Sequence, residues 1–147
     1  MTGLIAEDAP PNAQHGWPVG ATKKPGILIA DDHHLYRRIL KRWFRDHGFI
    51  VWVAANGREA VELHRAYARD IALALLDVCM PGLDGPGTLA AIRQKAPSLP
   101  CCFMSANLAG RQEAQLLALG ASSVFEKPLL LRETTTVIWG LLQGAKQ

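Results

Sequence analysis

The sequence has little that would suit a secreted or membrane-spanning protein. Its 147 residues contain only three cysteines, an odd number with no spacing typical of a disulfide framework or a structural zinc site. The amino terminus has neither a basic start nor a sustained apolar stretch, and no apolar run is long enough to cross a bilayer. These absences predict a cytoplasmic protein that makes no membrane contact.

Charge of one sign is also scarce. The formal net charge is +3, and charged residues make up 20% of the chain. A solvated helix face explains the basic residues better than a nucleic-acid footprint, since no basic tail or helix-turn-helix accompanies them. We therefore expect no direct nucleic-acid partner. Five of these basic residues fall in one predicted helix: Arg37, Arg38, Lys41, Arg42 and Arg45.

The chain divides into two parts by composition. Residues 1–24 hold proline, glycine and small polar residues with little to bury, which predicts a flexible N-terminal tail. Trp17 is the exception, because a tryptophan in a tail could dock on a surface. Residues 25–147 show no internal repeat and no break in pattern, which predicts a single domain.

Within that domain, five short apolar runs alternate with five segments of helical periodicity. The runs are apolar without a break, so we expect strands covered on both faces of a sheet. Strict alternation of strand and helix predicts parallel strands joined by right-handed crossovers. The predicted fold class is therefore α/β, a doubly wound parallel sheet. The fourth helix is predicted over residues 108–119.

Polar residues stand where four of the predicted strands end. Asp31 and Asp32 follow the first strand, Asp77 the third, Ser105 the fourth and Lys127 the fifth. Functional groups of an open parallel sheet lie just beyond the carboxyl ends of its strands, so these side chains should converge. Three carboxylates in one pocket need a compensating cation, and Mg²⁺ suits oxygen ligands completed by water and phosphate. One carboxylate could then attack phosphorus, with the ammonium and hydroxyl groups stabilising the phosphoryl oxygens.

Four motifs in this order resemble the response-regulator receiver family of two-component signalling. The resemblance covers about residues 26–143 and implies a flavodoxin-like, five-stranded sheet of order 2-1-3-4-5 with five helices. The motifs are Ile-Leu-Ile-Ala before Asp31 and Asp32, residues 75–85 around Asp77, Met104-Ser105-Ala106, and Glu126-Lys127-Pro128.

The resemblance also implies a role for each matching residue. Asp77 would accept the phosphoryl group. Asp32 would bind Mg²⁺ directly and Asp31 more weakly or through water, with Asp77 and the backbone carbonyl of Cys79 as further ligands. Mg²⁺ is thus the expected cofactor.

The same resemblance assigns the groups that would surround the phosphoryl group. Ser105 would hydrogen-bond to it and move toward it, and Lys127 would form an ion pair with it. The bond between Lys127 and Pro128 is a candidate for the cis geometry usual in the family.

One position departs from the family pattern. Val124 occupies the place where an aromatic switch residue is common, and Phe125 beside it should point to the opposite face of the sheet. Phosphorylation should survive this change. The usual readout, in which an aromatic side chain couples the fourth helix to the fifth strand, is put in doubt.

The individual site residues also have simpler interpretations. Asp31 or Asp32 could cap the first helix, Ser105 could cap the fourth helix, and Lys127 could be a solvated surface lysine. Asp84 is expected to shape the loop and start the third helix, not to bind metal.

The predicted function is that of a phosphoacceptor that switches a protein-interaction surface and catalyses only its own phosphorylation and dephosphorylation. A histidine kinase or histidine phosphotransfer protein would supply the phosphoryl group, and a downstream protein would be the target of a monomer or weak dimer.

No output domain follows the last helix in this sequence, so we expect a stand-alone receiver or a piece of a longer protein. The main alternative is a phosphate-independent interaction module with the same fold. A phosphatase of the dehalogenase type is a weaker alternative, because Cys79 stands where such an enzyme would need a second acid. A flavin-binding protein with this fold is also disfavoured, because three carboxylates would repel the flavin phosphate.

Overall fold

The computed structural model describes residues 23–145, so the predicted tail up to residue 22, including Trp17, lies outside the described residues. Five strands and five helices alternate along this part of the chain. The strands are β1 (Gly26–Ala30), β2 (Ile50–Ala54), β3 (Ile71–Asp77), β4 (Cys101–Ser105) and β5 (Ser123–Glu126). The helices are α1 (His34–Asp46), α2 (Gly57–Tyr67), α3 (Gly85–Arg93), α4 (Gln112–Ala118) and α5 (Leu131–Ala145).

The strands form one parallel sheet in the order β2-β1-β3-β4-β5, which confirms the predicted fold class. The register brings the carboxyl ends of the strands to one rim. Ala30 at the end of β1 lies opposite Leu76 of β3, and Ser105 at the end of β4 lies opposite Glu126 of β5. The residues that follow these strands therefore meet at that rim.

A separate core covers each face of the sheet. Ile27 and Ile29 of β1 point to one face, where they pack with α1 and α5, and Leu28 points to the other, where it packs with α2, α3 and α4. The adjacent thiols of Cys101 and Cys102 divide between the two cores, as period-two alternation requires. Every residue of β1 and β4 is buried, which explains why these strands carry no polar side chain before Ser105 at the end of β4.

Helix α1 buries only one of its apolar stripes. Leu40 and Phe44 are fully buried, whereas Leu35 and Ile39 are 59% and 54% exposed. The helix ends before Gly48, whose φ of 97° places it in the left-handed region expected of a residue just beyond a helix.

Helix α4 is shorter than predicted. It begins at Gln112, not at residue 108, and ends at Ala118. The Asn107 side chain accepts a hydrogen bond from the backbone of Ala109 at 2.9 Å, and Gly110 has a φ of 71°. A local side-chain turn and a left-handed residue cannot continue into a helix, so the first four predicted residues form a loop.

Candidate functional site

Three carboxylates meet at the rim of the sheet. Asp31, Asp32 and Asp77 each offer an oxygen, and these oxygens lie within 4.8 Å of one another. Asp31 is fully buried, Asp77 is 5% exposed and Asp32 is exposed. The cluster forms because β1 and β3 are neighbours that end at the same level.

Lys127 lies inside this cluster. Its Nζ is 2.6 Å from Oδ2 of Asp31 and 3.3 Å from Oδ2 of Asp77, and its side chain is 18% exposed. The backbone N–H of Lys127 donates to the carbonyl of Ser105 at 2.8 Å, and the bond to Pro128 is cis, as predicted. A solvated surface lysine is therefore the wrong interpretation of this residue.

The pKa values of the facing groups shift as burial and pairing require. Burial raises the pKa of Asp77, and repulsion from Asp31 raises it further, against the opposing effects of Lys127 and the backbone N–H of Cys79. Burial tends to lower the pKa of Lys127, but its contacts with Asp31 and Asp77 outweigh burial and raise it. Lys127 is thus held as a cation, while the environment of Asp77 favours a further cation near its carboxylate.

Ser105 lines the same cavity as Asp77, Cys79 and Lys127. Its Oγ lies 3.0 Å from the carbonyl oxygen of Asn107 and accepts a hydrogen bond from the Asn107 backbone N–H at 3.2 Å. Ser105 does not cap α4, so that interpretation was wrong.

The N-cap of α4 is Arg111, and it makes no side-chain capping bond. A side-chain contact at the start of the helix joins Oγ of Ser105 to Oε1 of Gln112 at 3.2 Å. Gln112 lines the cavity with Ser105. Sequence reasoning missed Gln112 because the helix was expected to begin four residues earlier, which would have placed this residue inside it.

Contacts with α1 fix the position of Asp31. Its Oδ1 accepts from the backbone N–H of His33 at 2.8 Å, and Arg37 donates to its backbone carbonyl at 2.8 Å. The cap of α1 is His33, whose Nδ1 accepts from the backbone of Tyr36, so the capping interpretation of Asp31 was wrong. Arg37 was expected on a solvated face. It contacts the site because α1 starts directly above the rim.

Tyr36 is a second residue that sequence reasoning missed. Its hydroxyl accepts a hydrogen bond from the backbone N–H of Leu129 at 2.9 Å, and Nζ of Lys127 lies 5.0 Å from its ring centroid. Burial raises the pKa of Tyr36, so the phenol stays protonated. Tyr36 therefore braces the loop that presents Lys127. A cation near an aromatic face adds a modest attraction.

Asp84 shapes the loop after β3 and starts α3, as predicted. Asp84 caps α3 by accepting from the backbone of Gly87 at 2.8 Å, and the backbone N–H of Gly85 donates to the carbonyl of Val78 at 2.9 Å. A Cβ on Gly85 would lie 2.5 Å from the backbone oxygen of Asp77. Only glycine lets α3 begin this close to Asp77.

Gly85→Ala is therefore expected to lower the free energy of unfolding by about 2 kcal/mol, because the added methyl group overlaps the backbone of Asp77. Urea unfolding followed by circular dichroism measures the change. Gly140→Ala on α5 is the matched control, since apart from its own helix backbone and chain neighbours nothing lies within 4 Å of the Cβ position. Alanine should be neutral or stabilising there. Equal stability of Gly85→Ala and the native protein would contradict the proposed close approach.

Val124 and Phe125 lie on opposite faces of β5, as predicted. Val124 packs against the core that contains Phe103, and Phe125 packs against the core that contains Trp139. Phe125 therefore does not take the place of the aromatic residue that is common in the family at the position of Val124.

Comparison with known proteins agrees with this fold. A family model described as the response regulator receiver domain matches residues 27–138. The sensor protein EvgS of Escherichia coli is 34% identical over 128 residues, which are 87% of this chain and 10% of that protein. The chain spans 10% to 30% of the length of the first curated relatives that it matches.

Solved structures show the same fold. A receiver domain protein from Clostridium thermocellum has a TM-score of 0.78 at 20% identity, covering 83% of this chain and 97% of that one. A chain of the CheX-CheY complex with BeF3 and Mg from Borrelia burgdorferi has a TM-score of 0.74 at 26% identity, covering 80% of this chain and 88% of that one.

Within residues 23–145, none of the helices is long and apolar enough to cross a membrane.

Proposed function

The chain belongs to the response regulator receiver domain family of two-component signalling, and on that premise we propose that it accepts a phosphoryl group on Asp77 with the help of Mg²⁺. The observation that carries this proposal is the arrangement of Asp77 beside Lys127, with two further carboxylates within 4.8 Å. Phosphoryl transfer depends mainly on positioning and charge stabilisation, and this arrangement supplies both.

Position distinguishes Asp77 from the other two carboxylates. Asp32 is exposed but lines a different cavity. Asp77 lines the cavity that also contains Ser105 and Lys127, which suit the oxygens of a phosphoryl group. Asp31 is fully buried and occupied by His33 and Lys127. An oxygen of Asp77 would form a bond to phosphorus while the donor's bond to phosphorus breaks, and the leaving group would keep the electron pair.

The residues present also fit a magnesium ion. Three carboxylates face one ammonium group, so the cluster lacks positive charge, and all of its donors are the hard oxygens that Mg²⁺ prefers. Asp31, Asp32, Asp77 and the backbone carbonyl of Cys79 would hold the ion. When bound, it would neutralise charge on the phosphoryl oxygens. The Mg in the Borrelia burgdorferi complex supports this assignment.

The partners follow from the same proposal. A histidine kinase or histidine phosphotransfer protein would supply the phosphoryl group, and a downstream protein would recognise the phosphorylated form of a monomer or weak dimer. The similarity to a sensor protein supports a place in such a pathway. We propose a cytoplasmic location, because Cys79, Cys101 and Cys102 are unpaired thiols of a kind usual in reducing compartments. The chain would catalyse only its own phosphorylation and dephosphorylation.

Intact mass spectrometry after incubation with a small-molecule phosphodonor tests the proposal. We expect a gain of one phosphoryl group that requires Mg²⁺ and disappears in Asp77→Asn. Asp84→Asn is the matched control, because it alters a nearby carboxylate that only caps a helix. This variant should be labelled on Asp77 as the native protein is. Absence of labelling, where another receiver is labelled, would favour the phosphate-independent interaction module.

A further inference from the structure

The hydroxyl of Ser105 has competing hydrogen-bond partners. It carries one proton, and two acceptors lie within reach of Oγ: the carbonyl of Asn107 at 3.0 Å and Oε1 of Gln112 at 3.2 Å. Asn107 lies in the loop between β4 and α4, Gln112 is the first residue of α4, and both line the cavity. A hydroxyl that donates to either one cannot donate its proton to a group on Asp77.

Helix α4 has few other constraints at its start. It is seven residues long, its N-cap makes no side-chain bond, and Leu116 is its only buried residue. A helix this short is marginal without tertiary contacts. The contact between Ser105 and Gln112 is therefore a substantial part of what joins the first turn of α4 to the sheet.

The usual aromatic link is also missing on this side of the domain. Val124 replaces the aromatic residue and packs into the core, and Phe125 faces the opposite core. Any effect of the site on α4 needs another connection, and Gln112 makes a side-chain bond directly between α4 and Ser105.

We infer that Gln112 is a positioning residue that holds Ser105 toward α4 in the unphosphorylated protein and releases the start of α4 when Ser105 turns to the phosphoryl group. This inference rests on the proposed function, because it assumes that Ser105 binds a phosphoryl group on Asp77. Donation to Gln112 and donation to the phosphoryl group exclude each other, since the hydroxyl carries a single proton. Signal thus passes from Asp77 to α4 through two side chains, without an aromatic switch.

Gln112→Met tests the inference, because methionine keeps the length and helix propensity of glutamine but cannot accept the bond. Hydrogen exchange of unphosphorylated protein, followed by mass spectrometry, should be faster over residues 108–119 in the variant. Mg²⁺-dependent labelling of Asp77 should be roughly twofold faster, because the variant removes one of the two acceptors that compete for the Ser105 proton, while the carbonyl of Asn107 remains.

Two further variants separate this role from simple packing. Gln115→Met, on an exposed position of the same helix, should match the native protein in both measurements. In a Ser105→Ala background, Gln112→Met should change neither rate, because the bond is already absent. Unchanged exchange in Gln112→Met, or an effect that persists without Ser105, would overturn the inference. The exchange measurement needs no phosphate, so failure of native protein to be labelled would count against the proposed function alone.

Discussion

Lys127→Met is expected to lower the free energy of unfolding by about 3 kcal/mol in metal-free buffer. This value is at the low end of the cost of breaking a buried ion pair, because the Lys127 side chain is partly exposed. The loss comes from Asp31 and Asp77, which would remain buried without their shared cation. Urea unfolding at neutral pH measures it. Labelling of Asp77 should also fall steeply, because the variant lacks the ammonium group that would pair with the phosphoryl oxygens.

The stability of Lys127→Met as a function of pH provides a second test of the ion pairs. The pKa of Lys127 is raised in the folded protein, so its stabilising effect is present at neutral pH and is lost only when the pH rises through that pKa. Lys127→Met should therefore recover part of its stability as the pH falls and a carboxyl group of the cluster becomes protonated. Lys95→Met, an exposed lysine, should stay within about 0.5 kcal/mol of the native protein. A Lys127→Met protein as stable as this control would show that solvent already screens the cluster.

Prediction from the sequence succeeded where the relevant pattern lies within one short segment of the chain. The alternation of apolar runs and helical periods depends on short segments, and it was sufficient for the fold class and for every strand. The five predicted site residues either end a strand or follow one, so the parallel sheet alone was sufficient to bring them to one rim. Asp77 and Ser105 end β3 and β4, and Asp31, Asp32 and Lys127 come after β1 and β5.

The failures concern contacts between distant segments. Tyr36 reaches the backbone of Leu129, and no pattern within α1 could indicate that partner. Gln112 was hidden by the wrong start of α4, which depends on a side-chain bond from Asn107 and on the conformation of Gly110. The exposed Leu35 belongs to a helix whose periodicity shows two apolar stripes, and only packing decides which one is buried.

Mg²⁺ at a hundredfold its dissociation constant is expected to raise the free energy of unfolding of the native protein by about 2.7 kcal/mol, because the unfolded chain has no preformed carboxylate cluster. Asp77→Asn should gain much less, since it lacks one of the three carboxylates. Urea unfolding of both proteins, with and without Mg²⁺, measures the two gains. An equal gain in both would mean that the ion binds elsewhere or without Asp77.

Without metal, Asp77→Asn should be more stable than the native protein at neutral pH. The pKa of Asp77 is raised above 3.8, first by burial and then by Asp31, so the folded state disfavours the ionised carboxylate in spite of Lys127. This cost is absent at low pH, where Asp77 is protonated in both states; it begins to develop as the pH rises above 3.8 and is complete once the pH exceeds the folded pKa. The advantage of Asp77→Asn should therefore shrink as the pH falls toward 3.8. If Asp77→Asn were instead the less stable protein at neutral pH, the contact with Lys127 would outweigh burial and repulsion, and the cluster would be balanced without a metal ion.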